Sequence, residues 1–81
     1  MSNMEKYIEA FTLCFGVDAT MAKNLTMHGI PAWDSVGHMG LVAQIEAAFE
    51  IQFDPDDMLD LKSFAAGQKI LTEKYNIDFE K

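Results

Sequence analysis

Along the first sixteen positions, Met4, Tyr7, Ile8, Phe11 and Phe15 recur at helical spacing, and Ser2 with Glu5 has the S-x-x-E spacing of a capping box. This predicts a first helix ending near Gly16. From Val17 to Trp33 no period holds. Val17, Leu25, Ile30 and Trp33 are instead spaced as isolated apolar pins that would fix a long loop onto its neighbours. After that loop Asp34 or Ser35 caps a second helix running to about Glu50, in which Leu41, Ile45 and Phe49 form an i, i+4, i+8 stripe with Val42 and Ala48 beside it. Ile51, Gln52 and Phe53 read as extended chain. Asp54 then caps a short helix, with Pro55 at its first position and Asp56 and Asp57 favouring the positive end of its dipole, reaching about Asp60. Ser63 caps the last helix, along which Phe64, Gly67, Leu71 and Tyr75 share one side until about Asn76.

No alternating strand pattern, repeat or low-complexity segment interrupts this reading. The expected fold is all-α: a small four-helix bundle of three long helices and one short one, with a long first loop, as a single domain over 1–81. At 81 residues, 49% of them apolar, the core is thin, and a single cysteine leaves it without an internal disulfide. Cys14, on an apolar helix with no cation near it in sequence, is expected to pack rather than react. The single cysteine, the lack of a basic and then apolar leader, and the lack of a long apolar run lead to the expectation of a cytoplasmic, monomeric chain outside membranes.

Thirteen acidic residues against six lysines, and no arginine, give a net charge of −7. Nucleic acid is a poor partner for such a chain, because affinity for it comes from cations facing phosphate. Between Lys23 and Lys62 every charged residue is acidic: Asp34, Glu46, Glu50, Asp54, Asp56, Asp57 and Asp60. A basic protein surface is therefore the expected partner.

The stretch Trp33-Asp34-Ser35 carries the main chemical question. Asp and Ser are ordinary helix caps, and a serine at a helix mouth is also a good place for a phosphate, which the exposed N–H groups and the dipole favour. A hydrolytic use of Ser35 with His38 and Asp34 is rejected: the G-x-S-x-G turn is missing, and residues three apart on one helix do not make triad geometry. His28 and His38 are expected to be isolated surface or loop residues, with no metal site. The run Asp54 to Asp60 fails as a calcium loop, with Leu59 at the turn-glycine position and Ala65 at that of the bidentate glutamate. It reads instead as a solvated helix start. Trp33 is expected to close the loop against the core. Val36, Met39, Gly40 and Ala43 form a second apolar side of the middle helix, which implies either fuller burial or a face turned to a partner.

The segment from Trp33 to Met58, WDSVGHMGLVAQIEAAFEIQFDPDDM, resembles the acyl carrier proteins that bind phosphopantetheine, and with Leu61 to Phe64 the likeness extends over nearly the whole chain. The resemblance implies an acyl-carrier-protein-like bundle with no catalytic activity of its own. It implies 4′-phosphopantetheine attached to Ser35 by a phosphopantetheinyl transferase that uses coenzyme A, and acyl intermediates carried as thioesters on the arm. Asp34, Val36, Met39, Ala43 and Glu46 would form the docking surface for the transferase and for acyl-loading and acyl-processing enzymes such as an acyl-activating enzyme, a ketosynthase or a transferase. Leu41, Ile45, Phe49 and Leu71 would line an interior acyl pocket. Val36 stands where leucine is usual, Gly40 and Ala47 where acids are frequent, and Trp33 is uncharacteristic of primary fatty-acid carriers, so the implied pathway is a specialised fatty-acid-like or polyketide-like one. A peptidyl or aminoacyl carrier of a nonribosomal system, loaded by an amino-acid-activating enzyme, shares the same serine and fold. An unmodified acidic adaptor for a basic protein is the reading of a different class.

Overall fold

The computed structural model describes residues 2–80, so Met1 and Lys81, the ends of the expected 1–81 domain, lie outside it. Five helices follow in order: α1 (Asn3–Phe15), α2 (Ala19–Ala22), α3 (Ser35–Phe49), α4 (Pro55–Asp60) and α5 (Phe64–Lys74). No strand occurs among the described residues, only an isolated bridge between Thr26 and Ser63. The sequence predicts four helices; the additional one is α2, a single turn inside the expected loop. Asp18 starts it by accepting the Met21 N–H at 2.8 Å, a local cap in a stretch too short to show a hydrophobic period.

The cap signals decide most of the other boundaries. Ser2 and Glu5 form the reciprocal capping box on α1, and Gly16 closes that helix at φ +67°, its N–H donating to Thr12 O at 2.9 Å. Ser63 accepts the Ala66 N–H at 2.9 Å and starts α5. Asp54 stands at the N-cap of α4 without making a side-chain cap bond; its N–H instead donates to Tyr75 Oη at 3.0 Å. Glu50 ends α3 with φ +55°.

The core is a single cluster in which aromatic rings supply much of the volume. Tyr7 and Phe11 of α1, Trp33 of the loop and Phe64 of α5 are buried in it with Leu41, Val42, Ile45, Leu61 and Leu71. Tyr7 lies 5.0 Å from Phe11 and 4.6 Å from Phe64 between ring centroids, and its hydroxyl donates to Phe64 O at 2.7 Å. That bond satisfies the one polar atom such a ring brings inside, and burial pushes the Tyr7 phenol well above its usual range. Phe79, in a tail with no predicted role, packs against Tyr7 and Phe49 at 5.3 and 6.3 Å.

The long loop is pinned as its apolar spacing predicts, with Leu25 and Trp33 buried and Val17 and Ile30 packed against the cluster. Backbone bonds add to this: Met27 N–H donates to Lys62 O at 2.7 Å and Phe64 N–H to Leu25 O at 3.0 Å. These tie the loop to the α4–α5 connection.

Asp57 corrects an expectation. Rather than a solvated acid at a helix start, it is 1% exposed. It accepts from Lys74 Nζ at 2.6 Å and from Tyr75 Oη at 2.7 Å, joining α4 to the end of α5. The Lys74 hydrogen bond holds the Asp57 carboxyl below its ordinary range against the opposing effect of burial, with Tyr75 adding to the lowering. No helix among the described residues is long and apolar enough to cross a membrane.

A carboxyl lowered in the folded state stabilises fully above its unfolded value and loses that contribution as pH falls through the folded one. Lys74 is half exposed, so its charge is partly screened and the buried hydrogen bonds carry most of the effect. Asp57→Asn should therefore lower stability at neutral pH by about 2 kcal/mol. In urea melts at a series of pH values, the gap between wild type and Asp57→Asn should close below about pH 4.

Candidate functional site

Ser35 is the first residue of α3, and Asp34 is its cap: the Asp34 carboxylate accepts the Gly37 N–H at 2.8 Å. The choice left open by the Asp-Ser pair is thereby settled. The Ser35 side chain is exposed, and among the described residues its hydroxyl makes no hydrogen bond. It stands free at the positive end of a fifteen-residue helix.

What fixes this corner is Trp33, two residues earlier and fully buried. Its ring stacks on Phe15 at 5.3 Å and meets Phe11 edge-on at 5.6 Å. Its Nε1 donates to His38 Nδ1 at 3.0 Å, and the other ring nitrogen, His38 Nε2, lies 2.7 Å from Met58 O. His38 is therefore not a surface residue as expected; it is 8% exposed and links the loop to α4. The signal that could have found it is its spacing: five residues after Trp33 and one turn after Asp34, it falls on the inner side of α3 with Leu41, Val42 and Ile45. With both ring nitrogens engaged and Asp34 capping Gly37, Ser35, His38 and Asp34 do not act as a triad. His28 lies on the exposed loop with φ +66°.

Gly37 carries a further constraint. A Cβ there would collide with the Ala32 carbonyl oxygen and come within 3.3 Å of Phe15. The loop backbone thus lies directly against α3 just before the Trp33 corner, an approach only glycine permits. Gly40 is different: a Cβ would meet Cys14 Sγ at 3.5 Å, an ordinary contact. Cys14 is half-buried between α1 and α3, its thiol 3.6 Å from Gly37 O and pushed up by burial, as packing rather than reactivity requires.

The second apolar side of α3 is turned outward. Val36 is 81% exposed and Met39 56%, with Asp34, Gly40 and Ala43 also exposed. Glu46 is half-buried, and its carboxylate accepts the Phe53 N–H at 2.8 Å, securing the turn into α4. Of the residues expected around an interior pocket, Leu41, Ile45 and Leu71 are fully buried in the core and Phe49 packs at its edge. Two surface clefts lie along α5, one bounded by the C-terminal tail and lined by Gln68, Thr72, Asn76 and Phe79, the other between Asp60 and Lys69. None of the four expected pocket residues lines either of them. No group of three or more metal-ligating side chains stands together among the described residues.

Comparison with known proteins adds no family: no protein-family model, curated protein or solved structure matches the chain.

Substitution separates the roles of the corner residues. Asp34→Ala should cost about 1 kcal/mol through loss of the cap. Ser35→Ala, at a position that does not cap, should change stability by less than about 0.5 kcal/mol. Gly37→Ala should cost about 2 kcal/mol through overpacking. Thermal melts of the three variants check this order, and equal losses for Ser35→Ala and Asp34→Ala would contradict the assignment of the cap.

Proposed function

We propose that the chain is a carrier protein of the acyl-carrier type, with 4′-phosphopantetheine attached through its phosphate to Ser35 and acyl groups held as thioesters on the arm. The observation that carries this reading is the exposure of Ser35 at the start of α3, its hydroxyl uncommitted and the capping bond made by Asp34 instead. A phosphodiester at that oxygen would lie beside the N–H groups at the head of the helix, where a negative group is favoured. The rigid Trp33 corner would keep the attachment point fixed while the arm moves. No catalytic step falls to the protein itself.

Docking of the transferase and of the enzymes that load and process the acyl group would use Val36 and Met39, with Asp34 and Ala43 beside them. Large apolar side chains exposed within an acidic stretch suit partners that combine an apolar hollow with basic residues around it. Glu46, tied to Phe53, would serve this face mainly by holding its far end in place. The complete burial of Leu41, Ile45 and Leu71 supports a role for them as core in this conformation. An acyl chain entering among them would have to part those contacts. The cytoplasm is the compartment in which this activity would fall.

The same exposed apolar pair favours a second reading, an unmodified acidic adaptor that binds a basic protein through α3. Incubation with a fluorescent coenzyme A analogue and a broad-specificity phosphopantetheinyl transferase separates the two. Wild type should take up the label and Ser35→Ala none. Val36→Asp should fold normally and label about tenfold more slowly, the effect of losing one apolar anchor. A folded wild type that takes up no label would contradict the carrier reading and leave the adaptor.

A further inference from the structure

The hydrogen bonds around His38 fix its proton. An indole N–H only donates and a backbone carbonyl only accepts, so a ring lying between Trp33 Nε1 and Met58 O must present a lone pair at Nδ1 and a proton at Nε2. Only the neutral imidazole, in that one tautomer, satisfies both neighbours. Protonation would set an Nδ1–H against the indole N–H across 3.0 Å, two donors with no acceptor between them, in a site that is 8% exposed.

The other ionisable groups near this ring on α3, α4 and the loop are hydrogen-bonded to other partners or exposed, with Glu46 of α3 accepting from Phe53 N–H and Asp56 of α4 exposed. Asp34, the N-cap of α3 one turn before it, accepts the Gly37 N–H, and Asp57 on α4 accepts from Lys74 and Tyr75. Asp60 at the end of α4 and His28 on the loop are exposed, and the Cys14 thiol of α1 lies against Gly37 O. Among the described residues no carboxylate is hydrogen-bonded to the His38 ring.

We propose that His38 is a proton-sensitive latch on the Ser35 corner. As the neutral ring it holds Trp33 to α3 and Met58 to the loop. On gaining a proton at Nδ1 from solvent it loses the Trp33 bond, and the Trp33-Asp34-Ser35 turn loosens. Its effect on modification of Ser35 rests on the carrier reading above; the opening of the latch does not.

Trp33 is the only tryptophan, so its indole N–H gives a single nuclear magnetic resonance signal. In the full chain labelled with ¹⁵N, the His38 ring shifts should show an unprotonated Nδ1 at about pH 8. Between about pH 8 and about pH 5 the indole N–H, corrected for its intrinsic rate, should lose about tenfold in protection from exchange. His38→Gln is the conservative rescue, its amide oxygen accepting from the indole and its amide N–H donating to Met58 O without titrating. It should remove the pH dependence, whereas His28→Gln should keep the wild-type response. A proton on Nδ1 at the upper pH, or an unchanged response in His38→Gln, overturns the latch. Should His38→Gln not fold, the wild-type tautomer and indole exchange still decide.

With the transferase present, the ratio of wild-type to His38→Gln labelling rates should fall several-fold across the same range. A constant ratio while the indole opens overturns the coupling to Ser35. Absence of labelling at every pH overturns the carrier reading, and the indole measurement alone then judges the latch.

Discussion

Trp33 is where the long loop, the first helix and the head of α3 meet, and the position of Ser35 follows from that meeting. A fully buried tryptophan removes one of the largest apolar surfaces from water, but its N–H must find an acceptor inside. His38 provides the acceptor from α3 itself, five residues later, so the loop is bound to the helix it precedes. Phe15 and Phe11 hold the other sides of the ring, and Gly37 lets the loop backbone at Ala32 lie against the first turn. With Trp33 anchored inward and Asp34 occupied as the cap, the next residue is left facing solvent at the end of a helix dipole. Exposure of Ser35 is thus a consequence of how well its neighbours are held.

A domain of this size has little stability to spare, and its polar interior shows how the margin is kept. Tyr7, His38 and Asp57 are each buried and each fully engaged: with Phe64 O, with Trp33 and Met58 O, and with Lys74 and Tyr75. No buried side-chain nitrogen or oxygen among the described residues lacks a partner. All but the Trp33–His38 bond run between segments distant in sequence, so they fix the relative placement of short helices that apolar contact alone would leave less determined. The core beneath α3 is filled by aromatic rings and branched aliphatic side chains, which is why the apolar residues on its other side remain on the surface.

Much of this architecture was legible in the sequence because local signals carry it. Capping at Ser2 and Ser63, a cap at Asp34 or Ser35, the glycine at the end of α1 and the i, i+4 stripe of α3 are each decided within a few residues. Trp33 closing the loop was legible from its position. The helix at Asp18 was not, since one turn is too short for periodicity to register. The burial of Asp57 was hidden for another reason: its partner Lys74 lies 17 residues away, and no spacing rule links them. The spacing of His38 with Leu41, Val42 and Ile45 carried its inward side but not its bond to Met58, 20 residues on. In the candidate site, the serine and its apolar neighbours were visible, whereas the collision that makes Gly37 necessary depends on the path of the loop backbone.

Ser35, and no other hydroxyl of the chain, is proposed to bear a covalent phosphopantetheine. Fragmentation mass spectrometry of the intact chain recovered from cells that also express a broad-specificity transferase measures both the number of arms and their position. One phosphopantetheine per chain, localised to Ser35, is the predicted result. An unmodified mass, or an arm on Ser2, Ser63 or a threonine, would contradict it.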